Sequence, residues 1–147
     1  EFRAREGAAL ALDFQARISR ILQLLGEVSP YEEGRISSLR RKITGQINDL
    51  MGNVEFDKNR LEQEMIYYLE KLDITEEKVR LKKHCDYFLE TLSDGDSNGK
   101  KLGFIAQEIG REVNTLGAKA NEVNIQKLVI LMKDELEKVK EQLNNIL

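Results

Sequence analysis

Apolar residues recur at spacings of three and four along almost the whole chain, a period that predicts helices. Over residues 2–26 the stripe is Leu10, Phe14, Ile18, Ile21 and Leu25, with Gly26 near its end. Ser29-Pro30 restarts the pattern, with Ser29 as N-cap, Pro30 at the first helical position, and Glu32 and Glu33 in the first turn. The next stripe, Ile36, Leu39, Ile43, Ile47 and Leu50, is an a/d-type seam. Long helices with so short a connector are expected to fold back on each other. The expectation is a long antiparallel hairpin over residues 2–52, projecting from the rest of the domain.

Gly52-Asn53 is the expected end of that hairpin. A third helix is expected over 56–71, with Leu61, Met65 and Leu69 inward. Asp73-Ile74-Thr75-Glu76 is a capping-box-like start for a fourth, running to Leu92. Residues 93–99 are polar and Gly-rich and predict a loop. A fifth helix, 100–117, carries Leu102, Ile105, Ile109, Val113 and Leu116 on one face. After a break near 117–121, a sixth carries Leu128, Met132, Leu136, Val139 and Leu143. No segment reads as a strand. The expected fold is all-α, a bundle of about six helices forming one domain over 1–147. Residues 2–52 would be its hairpin arm and 53–147 its helical core.

Composition narrows the class further. The 147 residues are 41% hydrophobic and 33% charged, too apolar for disorder and too interrupted by charge for a membrane protein. No apolar run reaches the ~18–20 residues of a spanning helix, and no signal-peptide pattern opens the chain, so a cytoplasmic protein is expected. The single cysteine, Cys85, excludes an internal disulfide and a Cys-based zinc cluster. It lies within the apolar face of the fourth helix and reads as a small core residue. A net charge of −3 argues against a uniformly basic nucleic-acid binder. The charge is uneven, however. Residues 53–98 hold twelve acidic against seven basic side chains, and residues 99–120 hold two against four.

The fourth helix places Asp73, Glu77, Arg80 and His84 within about 60° of one another, bordering its apolar face. On the fifth, Lys101, Glu108, Glu112, Thr115 and Lys119 share a stripe, with Arg111 at its edge. Glu108 and Glu112 one turn apart, with a carboxylate and an imidazole from a facing helix, would suit a divalent cation such as Mg²⁺ or Mn²⁺. The plainer alternative is a helix cap, an i,i+3 ion pair, a histidine bonded across the bundle and a solvated Lys/Glu face. Phe104 stands in the polar stripe and suggests a second contact surface, such as another subunit. No Gly-rich phosphate loop, Walker motif or Rossmann fingerprint is present.

Three segments together resemble the C-terminal domain of YicC/YloC-type proteins. They are Arg3-Ala-Arg5-Glu6-Gly7, the run from Asp73 through His84 followed by Phe88, and Gly99 through Lys119. The ending Glu141-Gln142-Leu143-Asn144-Asn145-Ile146 is similar as well. Gly103, Gly110 and Ala118 depart from the family pattern, where Asp, Asn and Ser are usual. The resemblance implies a bacterial, metal-dependent endoribonuclease that forms a hexamer, and a missing N-terminal domain. The isolated chain is then expected to fold without necessarily being active. On this reading Glu77, Glu108 and Glu112 are candidate metal ligands, and His84 is a ligand or a general acid/base. Arg80 and Arg111 would hold a phosphate, and Lys100, Lys101 and Lys119 would contact the RNA backbone. The alternative from another class is a non-catalytic helical module for clamping RNA or for oligomerisation.

Overall fold

A computed structural model describes residues 2–51, 58–94 and 99–146. Six helices account for nearly all of them: α1 (Phe2–Gly26), α2 (Val28–Met51), α3 (Lys58–Leu72), α4 (Thr75–Ser93), α5 (Gly99–Lys119) and α6 (Val123–Ile146). Among the described residues there is no strand, as the periodicity predicts. No helix among them is long and apolar enough to cross a membrane.

Burial divides the helices into two groups. The core draws on α1 (Phe14, Ile18, Ile21, Leu24), α4 (Leu81, Cys85, Phe88), α5 (Leu102, Ile109, Val113, Leu116) and α6 (Ile125, Met132, Val139). Each of these helices packs on two of the others, α1 against α4 and α6, and α5 between α4 and α6. Lys119 reaches Glu77 near one end of the α4–α5 pair, while Lys101 lies over Tyr87 toward the other, so these helices run antiparallel. Gly117 faces Val129 and Gly110 faces Leu136, which sets α6 antiparallel to α5. Arg17 of α1 bonds Glu135 of α6 at 3.0 Å. The four form an up-down-up-down bundle. A Cβ on Gly117 would meet the Val129 side chain at 3.0 Å, so the missing side chain there lets α5 and α6 approach closely.

The chain bends at Glu27 between two long helices, the bent helical pair that the pattern predicts. The position of its first limb differs from the expectation. Contact between α1 and α2 is slight, and α1 is a bundle helix. Phe14 meets Phe88 edge-to-face with ring centroids 5.8 Å apart. The arm is α2 with α3 beside it, inserted between the first two bundle helices. Its seam residues Leu39, Ile43 and Leu69 are half-buried. Arg35 fastens its base by donating to the carbonyl oxygens of Leu72 and Lys119, the latter at 2.9 Å. These oxygens close the C-terminal ends of α3 and α5, where the helix dipole favours a cation. Burial pushes the Arg35 guanidinium below its ordinary pKa, with Glu32, Asp73 and Glu122 pulling the other way.

Helix ends depart from expectation by a residue or two. Asp73 stands two residues before α4 and accepts from the Thr75 N–H at 3.0 Å and the Thr75 hydroxyl at 2.6 Å. That is a local turn, not a capping box, and Glu76 turns to Arg80 instead. Glu122 accepts from the Ile125 N–H and so caps α6. The expected end at Gly52-Asn53, the first residues of the third helix and most of the 93–99 loop lie outside the described residues.

Cys85 is fully buried in the core, and desolvation pushes its thiol up to about 12. The thiolate is the reactive form, so Ellman's reagent is expected to leave native protein unlabelled and to react after unfolding in guanidinium. Rapid labelling of the native protein would contradict that placement.

Candidate functional site on the α4–α5 face

Antiparallel packing of α4 on α5 brings together most of the residues singled out in the sequence. Glu77 is 1% exposed although it carries a carboxylate. Its Oε1 accepts from Lys119 Nζ at 2.7 Å and lies 3.7 Å from the Arg80 guanidinium. Its Oε2 has no hydrogen-bond partner among the described residues. Arg80 Nε donates to Glu112 Oε1 at 3.1 Å, and the same guanidinium reaches Glu76 Oε2 at 3.3 Å. That hydrogen bond with Glu112 is the main reason the Arg80 pKa is raised. Lys119 Nζ also lies 3.5 Å from the Asp73 carbonyl oxygen. The result is a ladder of alternating charge, Lys119–Glu77–Arg80–Glu112, across the two helices. One end of it rests on the arm, because Lys119 supplies the carbonyl that Arg35 holds.

His84 follows Arg80 by one turn and is half-buried. By register it lies across from Glu108, between the Arg80–Glu112 pair and the Tyr87–Lys101 contact. It makes no hydrogen bond or ion pair with any described residue. Glu108 is half-buried and sits 3.7 Å from the exposed Arg111, an i,i+3 pair of the kind that contributes at most about 1 kcal/mol. Lys100 and Lys101 are exposed, with Lys101 Nζ 5.0 Å above the centre of the Tyr87 ring.

The geometry therefore sorts the expected site residues. Glu77 and Glu112, expected as metal ligands, face cations of this same chain. Arg80 and Lys119, expected at RNA, are engaged by those carboxylates. Lys100, Lys101 and Arg111 remain presented to solvent. Among the described residues, no three His, Cys, Asp or Glu side chains gather closely enough to hold a metal ion. The proposed quartet of Glu77, His84, Glu108 and Glu112 thus does not fit a divalent cation within this chain alone. The physical reason is charge balance: a carboxylate already neutralised at 2.7 Å by an ammonium offers a cation little.

Sequence reasoning missed Tyr87, Lys83 and Arg35. The first two share the Arg80–His84 stripe of α4 at helical spacing, so the signal was there. Arg35 carried none, because its partners are main-chain oxygens distant in sequence. Gly103 has nothing within 4 Å of an added Cβ, so a larger residue could begin its side chain there without steric conflict.

An all-α bundle with an inserted arm and a mixed-charge helix face places the chain among helical domains. Comparison with known proteins specifies it further. The family model for the C-terminal domain of YicC-like endoribonucleases matches residues 28–147, and the chain belongs to that family. It is 39% identical over 147 residues to the "Probable endoribonuclease YicC" of Clostridioides difficile (strain 630), covering 99% of this chain and 50% of the relative. The protein of the same name from Haemophilus influenzae is 31% identical over 144 residues, covering 98% of this chain and 50% of that relative. The chain spans about half the length of the curated relatives it matches.

Proposed function

We propose that the full-length protein is a bacterial cytoplasmic endoribonuclease and that this domain presents the RNA strand along its α4–α5 face. The observation that carries the reading is His84. The only imidazole in the chain sits half-buried beside the Lys119–Glu77–Arg80–Glu112 ladder, with no hydrogen-bond or ion-pair partner among the described residues. An imidazole so placed is available to give or take a proton, and the exposed Lys100, Lys101 and Arg111 supply contacts to phosphate. The names of both relatives support RNA cleavage as the activity. Dependence on manganese or magnesium is proposed for the assembled protein only, where donors from the other half or another subunit would complete what these residues do not. Assembly into a hexamer belongs to the same proposal. Light scattering of the full-length protein reads it directly.

In the full-length protein, His84→Ala and Glu108→Gln are expected to reduce cleavage by about 10²–10⁴-fold, with helicity unchanged. Full activity in both variants removes this site. Product ends report the chemistry: a 5′-phosphate indicates attack by water, and a 2′,3′-cyclic phosphate indicates attack by the ribose 2′-hydroxyl.

The arm favours a second reading, a clamp without catalysis. A groove of about 340 Å³ runs between α2 and α3, with Ile36, Leu39, Leu69 and Leu72 along it and a mixed-charge rim of Arg35 and Arg40 beside Glu32, Glu70 and Asp73. RNA binding that falls steeply with salt, with no cleavage at any metal concentration, would select it.

A further inference from the structure

Resting on the reading of the α4–α5 face as an RNA surface, we propose that Tyr87 and Phe104 form a stacking platform for unpaired bases of a single strand. Phe104 is 70% exposed on a helix whose other large apolar side chains, from Leu102 to Leu116, are buried. Tyr87 is 43% exposed on the neighbouring helix. Lys101, one turn before Phe104 on α5, has its Nζ 5.0 Å from the centre of the Tyr87 ring, so the two aromatics stand on neighbouring helices along the same edge of the α4–α5 pair.

The same arrangement recurs on both helices. Lys83 precedes Tyr87 by four residues and Lys100 precedes Phe104 by four, so each aromatic has a lysine one helical turn away. Both lysines are exposed, and neither makes an ion pair among the described residues. A base has a π-face for the ring, and its phosphate has charge for the lysine, so this unit fits a nucleotide and recurs as a strand would need. A protein partner fits less well. Lys100, Lys101, Gln107 and Glu108 stand one helical turn from Phe104, so its neighbours along α5 are polar and the ring does not continue an apolar stripe. A duplex fits less well too, since its bases are stacked on one another and not open to side chains.

The test uses the full-length protein in EDTA and fluorescence anisotropy with labelled oligoadenylate, against an RNA duplex of equal length. Phe104→Ala and Tyr87→Ala are each expected to weaken single-strand binding by about 5- to 150-fold, the range of one base–aromatic stack. Duplex affinity and melting temperature should not change. Phe104→Tyr and Tyr87→Phe keep the ring and should bind like the parent. Unchanged oligoadenylate affinity in the double alanine variant overturns the proposal. Equal losses on single strand and duplex also overturn it, as does a fall in oligomer mass with unaltered RNA binding per protomer. If the parent cleaves RNA while the alanine variants bind normally, only the platform fails. If the parent cleaves nothing yet the variants lose single-strand binding, the endoribonuclease reading fails and the platform stands.

Discussion

A chain that begins at Val28, where the match to the family model starts, is expected to lose cooperative unfolding. Without α1, the bundle loses Phe14, Ile18, Ile21, Leu24 and Leu25, all buried. At about 1.5–3 kcal/mol for each fully buried side chain, their removal is comparable to the whole ~5–15 kcal/mol stability of a typical domain. Phe88 and the α6 side chains that pack on α1 would at the same time face water. The shortened chain should keep much of its far-ultraviolet helical signal, bind a hydrophobic dye and melt over a broad range. A smaller perturbation measures the same interface: Phe14→Ala should cost about 3–5 kcal/mol, lowering Tm by roughly 6–20 °C for a domain of this size. A sharp transition at the parent Tm in the chain from Val28 would mean that α1 is an arm after all.

That interface also shows where reading the sequence stops. Ile18 and Ile36 both stand in clean helical stripes, and their sequence context does not separate them. Ile18 is fully buried and Ile36 is 41% exposed. Periodicity reports that a helix has an apolar face; it does not report which helix covers that face. Two long helices on either side of a short connector could pair with each other or diverge. They diverge because α4 and α6 offer α1 a larger apolar surface than α2 does. The site has the same limit. Asp73, Glu77, Arg80 and His84 on one side, and Glu108, Glu112 and Lys119 on the other, were legible as stripes from spacing alone. Their pairing across helices was not, because a carboxylate accepts a metal, a lysine or an arginine equally well on paper. Antiparallel register decided it, setting Glu77 against Lys119 and Arg80 against Glu112. Tyr87 went unnoticed because a tyrosine serves as readily inside a core as on a surface.

Lys119→Met is expected to be among the most damaging single changes on the α4–α5 face. It strands the Glu77 carboxylate, which is 1% exposed and whose second oxygen has no hydrogen-bond partner among the described residues. Breaking a buried pair by removing one member costs about 3–5 kcal/mol. The lower part of that range is expected, because the Lys119 side chain keeps 34% exposure and Arg80 stays 3.7 Å from Glu77. Glu77→Leu alone removes the stranded charge and should cost less. Combining the two replaces a buried ion pair with apolar side chains of similar bulk, a change that is often neutral or stabilising. Urea melts of the parent, the two single variants and the double variant should therefore show the double recovering most of the loss caused by Lys119→Met. Cleavage by the full-length protein then separates two roles that stability alone leaves mixed. If the ladder only holds α4 to α5, activity should return with stability in the double variant. If its charges position Arg80 and Glu112 beside His84 for work on RNA, the double variant will be stable and inactive. The second outcome is expected, because a purely structural contact at this position would be served as well by a leucine and a methionine.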